Sequence, residues 1–419
     1  MRKGTLAVLM MVAMGGISVT GCSSAATSQN MPETTKAGQE TSQTAAPTSE
    51  TAADTKKEGG TETSGEDIRI GVTLTITGAN APAGRTFLQG IEAVVDEVNA
   101  AGGIKGRNII LEVEDAGDDT DKALNAVNLM VEREYSAILG PHWSSQVYAV
   151  KSSYENSKIP AIVGGTNYKL PDPENNYLFL GRPSDQIQAS ALANYIVDNT
   201  EAKKVGVLYS SDDFGQGAYE VVKSTFEENN LDFTAETHNT TDTDYSSTLL
   251  KMQAAGCDVL LIWTSENPMT IIARQISELG LNENMEFFCS PCIGGSVVQD
   301  AVDHVWLKGF YSVQETIYDD TDPEVKAFGE AYNAKYGQYP DAAARQYAKI
   351  AYILVDALER AEDPANPESV KLALEQTTSL ETIFGTVTCD ENHSLNHVVY
   401  ITRWDSDVDG LVYLLSVEG

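Results

Sequence analysis

The fold is decided by residues 68–74, Ile-Arg-Ile-Gly-Val-Thr-Leu, and by the apolar pattern that follows them. A short apolar run of this kind predicts a buried strand, whereas apolar residues at intervals of three and four predict a helix. The helical pattern consists of Leu88, Ile91, Val94, Val95 and Val98. Gly102-Gly103 is a typical C-terminal signal for that helix, so the chain begins its folded part with a strand–helix unit.

The same unit recurs along the chain. Further strands are predicted at Ile109–Val113, Ala137–Leu139, Pro160–Val163, Val205–Tyr209, Phe233–Thr237, Val259–Trp263 and Phe287–Cys289. Helices are predicted at Ala123–Arg133, after Ser144, and at Ile187–Val197, Tyr219–Glu228, Ser246–Ala255 and Thr270–Leu279. Alternation of strand and helix predicts an α/β fold with parallel sheets covered on both faces. The number of units exceeds one doubly wound sheet, so we expect two lobes.

The charge of the chain argues against two classes of binding partner. The chain has 419 residues, with 61 Asp and Glu against 28 Lys and Arg, which gives a formal net charge of −33. This charge argues against binding nucleic acid, because that affinity comes from basic residues displacing counterions. It argues equally against electrostatic docking on anionic lipid.

The first residues predict export and anchoring. Arg2 and Lys3 precede an uncharged apolar segment that ends at Val19-Thr20-Gly21-Cys22, and small residues before a cysteine are typical of a bacterial lipoprotein cleavage site. We therefore expect a signal peptide at 1–21 and a Cys22 that is acylated, for example with palmitate, and holds the protein at the outer face of the cell membrane. Residues 23–66 contain no Val, Leu, Ile or aromatic residue. We therefore expect residues 22–66 to form a disordered tether that begins at the acylated cysteine. An ordinary signal peptide with a coincidental cysteine is the alternative.

Two strand ends carry candidate ligand-binding groups, since ligands of open α/β sheets bind at the carboxyl ends of strands. Gly140-Pro141-His142-Trp143-Ser144-Ser145 follows one strand, and its hydroxyls would lie beside free helix N-terminal amides, a site suited to a carboxylate. Gly164-Gly165-Thr166-Asn167 follows the next strand. Taken alone, the first motif could be a helix cap and the second a plain turn.

Several motifs in a fixed order resemble one family. They are Ile70-Gly71-Val72, Asn99-Ala100-Ala101-Gly102-Gly103-Ile104-Lys105-Gly106, Gly140-Pro141 with Ser144-Ser145, and Asp212-Asp213-Phe214-Gly215-Gln216-Gly217. Over residues 67–419 the chain resembles the leucine/isoleucine/valine-binding proteins, which have the type I periplasmic-binding fold. These are extracytoplasmic receptors of ABC importers, with two doubly wound lobes joined by three hinge crossings.

The resemblance implies a ligand site between the lobes. Ser144, Gly165 and Thr166 match the positions that bind an amino acid's carboxylate, and Asp185 matches an acid that binds the ammonium. The other implied ligand-binding residues are Trp143, Ser145, Phe214, Ser265 and Glu266. Pro291 stands where family members often have an acid, and Ala83 replaces an aromatic residue, so the ligand's identity stays open. We expect an amino acid or related metabolite, with an apolar or aromatic side chain favoured and an uncharged amide as the alternative.

The same resemblance implies the domain layout. The first lobe is expected at 67–184 and 314–398, and the second at 185–313 and 399–419, with crossings near Asp185, Val313 and Val399. The expected function is capture of the small molecule and its delivery to ABC permease subunits. A ligand-sensing protein that works with a signalling receptor is the alternative from another class.

Other motifs do not predict a catalytic, metal or cofactor site. Residues 405–410, Asp-Ser-Asp-Val-Asp-Gly, begin like a calcium loop, but Ser416 occupies the position of the usual final Glu, so a β-turn is favoured. Cys289 and Cys292 are about a hundred residues from His393 and His397, which argues against zinc. An enzyme using His142 and Ser144 is conceivable, although nothing orders a triad. A disulfide among Cys257, Cys289, Cys292 and Cys389 is possible, and its pairing is not readable from the sequence.

Overall fold

The computed structural model describes residues 66–171 and 176–418. The predicted signal peptide, the acylated Cys22 and the tether as far as residue 65 lie outside the described residues.

The first sheet has five strands that are all parallel, in the order β2-β1-β3-β4-β5. The strands are β1 (Ile68–Leu74), β2 (Ile109–Asp115), β3 (Ala137–Leu139), β4 (Ala161–Val163) and β5 (Leu178–Leu180). The residues of β1 and β3 are almost entirely buried, as expected for a sheet that has helices on both faces.

The second sheet has seven strands in the order β15-β14-β10-β9-β8-β6-β7. Its parallel strands are β6 (Lys204–Ser210), β7 (Asp232–His238), β8 (Val259–Trp263), β9 (Glu286–Cys289) and β10 (Tyr311–Gln314). Its edge is an antiparallel pair, β14 (Val399–Asp405) and β15 (Gly410–Val417). A small antiparallel sheet consists of β11 (Leu380–Thr382), β12 (Gly385–Cys389) and β13 (Leu395–His397).

Helices connect most of the strands. They are α1 (Ala81–Ala100), α2 (Thr120–Val131), α3 (Ser144–Ser157), α4 (Asp185–Asn199), α5 (Asp213–Glu228), α6 (Ser246–Ala254), α7 (Glu266–Glu278), α8 (Ser296–Gln299), α9 (Pro323–Tyr336), α10 (Ala342–Arg360) and α11 (Pro367–Glu375). Short 3-10 turns occupy Leu281–Glu283, Pro291–Gly294 and His304–Leu307. None of the helices in the described part of the chain combines the length and the apolar character that a membrane span requires.

Helix α10 packs directly on α1, and Gly90 makes that close approach possible. A Cβ atom at Gly90 would lie 2.1 Å from the carbonyl oxygen of Ala344, so a larger residue would force the helices apart. Residues of α1, α9, α10 and α11 share one apolar core with β1, whereas α4 and α5 share another core with β6 and β8.

The chain therefore passes between the two sheets three times: after β5, after β10, and between β13 and β14. The predicted α/β class with parallel sheets is confirmed, and each predicted strand and helix overlaps an observed one, although α5 begins six residues before its predicted start. Strands β5 and β10 to β13 and helices α8 to α11 were not predicted. The segment 405–410 is the turn of the β14–β15 hairpin, as predicted.

Candidate ligand-binding site

A cavity lies where strand ends of the two sheets meet. From the first sheet it is lined by His142, Trp143, Ser144, Gly164, Thr166 and Arg182, and from the second by Phe214, Thr264, Ser265, Glu266, Ser290, Pro291, Cys292 and Gly295. Ala342, Ala343 and Gln346 of α10 complete the wall.

One pole of the cavity is the N-terminus of α3. The N-cap residue is Trp143, whose side chain makes no capping hydrogen bond, so the amides of the first turn are open to a ligand. Ser144 is the first helical residue, and its Oγ accepts hydrogen bonds from the backbone N–H of Thr166 at 3.2 Å and of Asn167 at 3.3 Å. Because both bonds use oxygen lone pairs, the hydroxyl proton of Ser144 is left for another acceptor. The serine therefore does not serve as the helix cap.

A second pole is Glu266, the first residue of α7, which also lines the cavity. Its side chain forms no ion pair with another described residue, and burial raises the pKa of its carboxyl above the ordinary 4.5. Arg182 opposes that rise and Asp341 adds to it. Glu266 is thus an uncompensated acid in the wall of the cavity, and a cationic group of a ligand would stabilise its ionised form.

Flat and small apolar groups form the sides. The Trp143 indole is fixed by a hydrogen bond from Nε1 to Thr75 Oγ1 at 3.1 Å, and the Phe214 ring lies 5.8 Å from the ring of Trp263. Ala342 and Ala343, the first residues of α10, also line the cavity with small apolar side chains. The site can therefore hold an apolar side chain beside its polar groups.

A buried ion pair supports the wall, and sequence reasoning missed it. Arg182 donates to Glu315 at 2.5, 3.0 and 3.1 Å, and the two side chains are 8% and 2% exposed. The Arg182 Nη1 also donates to the carbonyl oxygen of Gly164 at 3.0 Å. Because Arg182 and Glu315 are 133 residues apart, only the folded topology brings them together.

His142 is a second residue whose role the sequence did not reveal. Burial, aided by the neighbouring Arg182, holds the pKa of its imidazole well below the ordinary 6.5, so the ring is neutral. His142 Nδ1 lies 2.9 Å from Tyr347 Oη, and the ring stacks on Phe87. Among the described residues no hydrogen bond joins His142 to Ser144.

The predicted site residues divide into two groups. Trp143, Ser144, Thr166, Phe214, Ser265 and Glu266 line the cavity. Ser145, Gly165 and Asp185 are not among the lining residues.

Each of those three has a structural reason for its position. Ser145 is half-buried one step further along α3. Gly165 packs against Val147 and Leu170, where an added Cβ would lie 3.0 and 2.8 Å from their side chains. Asp185 is fully buried behind Thr166.

Two asparagines form hydrogen bonds across the cleft, between residues next to the first sheet and residues next to the second. Asn267 of α7 donates from Nδ2 to Ala79 O at 3.2 Å and to Asn80 Oδ1 at 2.9 Å. Asn167 Nδ2 donates to Asp213 O at 2.5 Å. Both sides therefore contribute to one cavity.

The family follows from sequence comparison over this same region. The sequence model of the periplasmic binding proteins matches residues 67–409. The chain belongs to this family. The resemblance predicted from the ordered motifs is thereby confirmed.

Individual relatives agree with that assignment. The chain is similar to Leu/Ile/Val-binding protein homolog 1 of Brucella abortus, with 26% identity over 361 residues, which cover 82% of this chain and 92% of the relative. Its fold is similar to that of the branched-chain amino acid transporter substrate-binding protein LivJ of Streptococcus pneumoniae, solved with isoleucine, at a TM-score of 0.75 and 24% identity. That match covers 84% of this chain and all of LivJ.

The same fold serves other ligands. A solute-binding protein of an ABC transporter from Rhodopseudomonas palustris, solved with 3,4-dihydroxybenzoic acid, has a TM-score of 0.75 and 18% identity, and the match covers 84% of this chain and 96% of that one. The fold alone therefore does not select a ligand. That selection depends on the residues of this cavity.

The cysteines that the structure describes form no disulfide with one another. Cys257, Cys289, Cys292 and Cys389 are free thiols. Within residues 66–171 and 176–418, no three His, Cys, Asp or Glu side chains are grouped so that they could hold a metal ion.

Proposed function

We propose that the protein is the extracytoplasmic solute-binding lipoprotein of an ABC importer. It captures an amino acid or a close relative in the cavity between its lobes and delivers it to the permease. Cys22 carries the lipid that keeps it on the outer face of the cell membrane. Residues 67–184 and 314–398 form one lobe, and residues 185–313 and 399–419 form the other.

The observation that carries the ligand class is the presence of hydrogen-bond donors and of an acid in the wall of one cavity. The amides of the α3 N-terminus, the Ser144 hydroxyl and Thr166 supply hydrogen-bond donors for a carboxylate. Glu266 supplies the negative charge for an ammonium. A free α-amino acid carries both groups on one carbon atom, which leaves its side chain for the surface of Trp143, Phe214 and Ala343.

The electrostatic balance of the wall supports a zwitterion over a simple acid. Arg182 is already paired with Glu315, and His142 is neutral, so neither presents an unpaired positive charge to the ligand. A ligand with only a carboxylate would leave Glu266 uncompensated, and burying an unpaired charge is costly. The cavity residues supply binding groups and no ordered nucleophile–base pair, which supports a binding protein over an enzyme.

Calorimetry with the proteinogenic L-amino acids tests the ligand class. Modified forms of the tightest binder then probe each pole: its amide lacks the carboxylate charge, and its N-acetyl derivative lacks the ammonium. We expect each modification to weaken binding by about a hundredfold or more, because each leaves one pole unpaired. Equal affinity for the free amino acid and both derivatives would contradict the two-pole site.

The anchor has its own test. The Cys22→Ala variant lacks the sulfur that would be acylated, so we expect it in the soluble fraction while the parent stays with membranes. A variant that remains membrane-bound would contradict the lipid anchor. A ligand-sensing role without transport predicts instead that deleting the permease leaves the cellular response to the amino acid unchanged.

A further inference from the structure

A second cavity lies beside the chain crossing that follows β10, and none of its lining residues lines the ligand cavity described above. Its volume is about 630 Å³, which is within the range of small-molecule sites. The lining comes from the segment after β10, from the loop and first turn at the start of α10, from residues around α8, and from the β14–β15 hairpin. Because Arg345 of α10 supplies its positive charge, we call it the Arg345 pocket.

Two short segments separate the Arg345 pocket from the ligand cavity. Gly294 and Asp341 line the pocket, whereas the adjacent Gly295 and Ala342 line the ligand cavity. Asp341 joins the two segments, since its Oδ2 accepts a hydrogen bond from the backbone N–H of Ser296 at 2.6 Å. The two cavities are therefore distinct places on the molecule.

Arg345 brings to the pocket a positive charge that forms no ion pair with another described residue. Its Nε donates to Thr316 Oγ1 at 3.2 Å and its Nη1 donates to the carbonyl oxygen of Pro340 at 2.7 Å, whereas Nη2 has no partner among the described residues. Asp341 is the nearby acid, but its two oxygens already accept hydrogen bonds from backbone N–H groups. A guanidinium has five N–H donors, so Arg345 keeps donors for a ligand.

The surroundings of Arg345 favour an anionic partner. Burial lowers the pKa of Arg345 to about 10 from the ordinary 12.5, so the guanidinium is still charged at neutral pH. A buried charge is costly unless it is paired. Thr316 is 1% exposed and its Oγ1 accepts from Arg345, which leaves the hydroxyl proton as a further donor in the same lining.

Aromatic side chains supply flat apolar surface near the guanidinium. The Arg345 guanidinium carbon lies 5.8 Å from the centre of the Tyr318 ring, and that ring lies 6.1 Å from the ring of Tyr339. Tyr413 and Leu411 of β15 also line the pocket. Tyr339 and Tyr413 are 54% and 51% exposed, so their rings are accessible to a planar ligand.

Acids in the same lining limit the charge that a ligand can carry. Asp300 and Asp319 line the pocket and are exposed. The whole chain has a formal net charge of −33. A ligand with several negative charges, such as a phosphate ester, would be repelled more strongly than a single carboxylate.

We propose that the Arg345 pocket is a second small-molecule site, which binds an aromatic monocarboxylate. The carboxylate pairs with the Arg345 guanidinium and accepts from the Thr316 hydroxyl, and the aromatic ring packs among the three tyrosines of the lining. A guanidinium and a carboxylate can form two parallel hydrogen bonds, which gives this pairing geometric specificity. Binding here does not depend on which solute the ligand cavity holds, because the two cavities share no lining residue.

Fluorine NMR with 4-fluorophenylacetate as the probe tests the required charge. The comparison compound is 4-fluorophenylacetamide, which has the same ring and no carboxylate. We expect saturable binding of the acid and binding of the amide that is weaker by about tenfold or more, because the amide leaves Arg345 without a counter-ion. Equal affinity for the acid and the amide would overturn the pairing with Arg345.

Substitutions locate the probe. Arg345→Gln removes the charge and should weaken binding of 4-fluorophenylacetate by about tenfold or more. Tyr413→Ala removes an exposed ring on the edge strand β15, so it should keep the fold and weaken binding by about threefold or more. Arg274→Gln, at an exposed position of α7, is the matched control and should bind like the parent. Thermal unfolding checks that each variant is folded.

The remaining outcomes distinguish this site from the ligand cavity. If Ser144→Ala loses the probe while Arg345→Gln and Tyr413→Ala bind it like the parent, the probe occupies the ligand cavity and the second site is overturned. A parent that shows no saturable binding at about 10 mM probe would overturn it as well. Neither result affects the amino-acid receptor, which the calorimetric panel tests. A parent that binds the probe through Arg345 but binds no amino acid would overturn the receptor proposal alone.

Discussion

At the scale of single residues, ligand binding should depend on side chains that have a hydrogen-bonding group without a protein partner. Ser144 Oγ accepts hydrogen bonds from two backbone amides, which leaves its hydroxyl proton to be donated. Thr264 Oγ1 is buried in the wall without a partner among the described residues. Buried polar groups normally have hydrogen-bond partners, so a donor or acceptor without one in the wall of a cavity indicates where polar ligand atoms bind.

Glu266 is the residue on which ammonium recognition should depend most. Glu266→Gln keeps the size of the side chain and removes its charge, and we expect amino-acid affinity to fall by about a hundredfold, since truncating one partner of a desolvated charge pair costs about 2–5 kcal/mol. Calorimetry measures the loss. Glu283→Gln, at an exposed position of the same lobe, is the matched control and should bind like the parent.

The pH profile gives a second measure of the same residue. The ammonium needs an ionised Glu266, so affinity of the parent should fall as pH is lowered through the raised pKa of that carboxyl, at a higher pH than an exposed glutamate would give. Glu266→Gln should be weak but nearly constant with pH in that range. A parent whose affinity does not change on acidification would contradict the role of Glu266.

At the scale of elements, helix termini do most of the positioning. Helices α3, α7 and α10 all begin at the cavity, at Ser144, Glu266 and Ala342. Each of these helices follows the end of a strand or a loop. Local sequence patterns mark such ends, so they were enough to place Ser144 and Thr166 at strand ends. The parallel strands then bring those ends to one edge of each sheet.

The sequence was less informative where contacts depend on distant segments. The Arg182–Glu315 pair joins two crossings of the chain, and no local pattern indicates it. The burial of Asp185 was missed for the same reason, because α5 covers it from a separate part of the sequence. A motif places a residue at the end of an element, but packing decides whether its side chain reaches the cavity.

Gly217 tests the contact between α5 and the strand-end loop. A Cβ at this position would lie 2.7 Å from Asn167 Nδ2 and 2.7 Å from Asp185 Oδ2. We expect Gly217→Ala to lower the free energy of unfolding by about 1–3 kcal/mol, as overpacking does, and to weaken amino-acid binding because Asn167 is displaced. Gly410→Ala is the control, since its Cβ would have no atom closer than 3.9 Å. If the two variants unfold alike, the packing at Gly217 is not as tight as the structure indicates.

At the scale of the whole molecule, affinity should depend on closure as well as on contacts with the ligand. Three chain crossings permit a hinge motion of the kind by which two-lobed binding proteins close on ligands. A protein that is only partly closed when free has its apparent affinity reduced in proportion to the closed fraction. Bonds that cross the cleft but do not contact the ligand should therefore change affinity.

Asn267 provides that test, because it binds Ala79 and Asn80 across the cleft and does not line the cavity. Two lost hydrogen bonds of about 0.5–1.5 kcal/mol each predict that Asn267→Ala weakens amino-acid binding by about fivefold to 150-fold. Small-angle scattering should show a smaller radius of gyration for the parent with saturating amino acid than without it. The variant should reach the same compact radius only at higher amino-acid concentration.

The exposed Asn282, on the same lobe but away from the cleft, supplies the control substitution Asn282→Ala, which should leave both affinity and radius unchanged. An Asn267→Ala variant with parental affinity would mean that this bond does not stabilise the closed form. A parent whose radius is the same with and without bound amino acid would mean that the cavity is rigid. Because the bond at Asn267 and the radius report on closure independently, agreement between them would establish that binding and hinge motion are coupled in this chain.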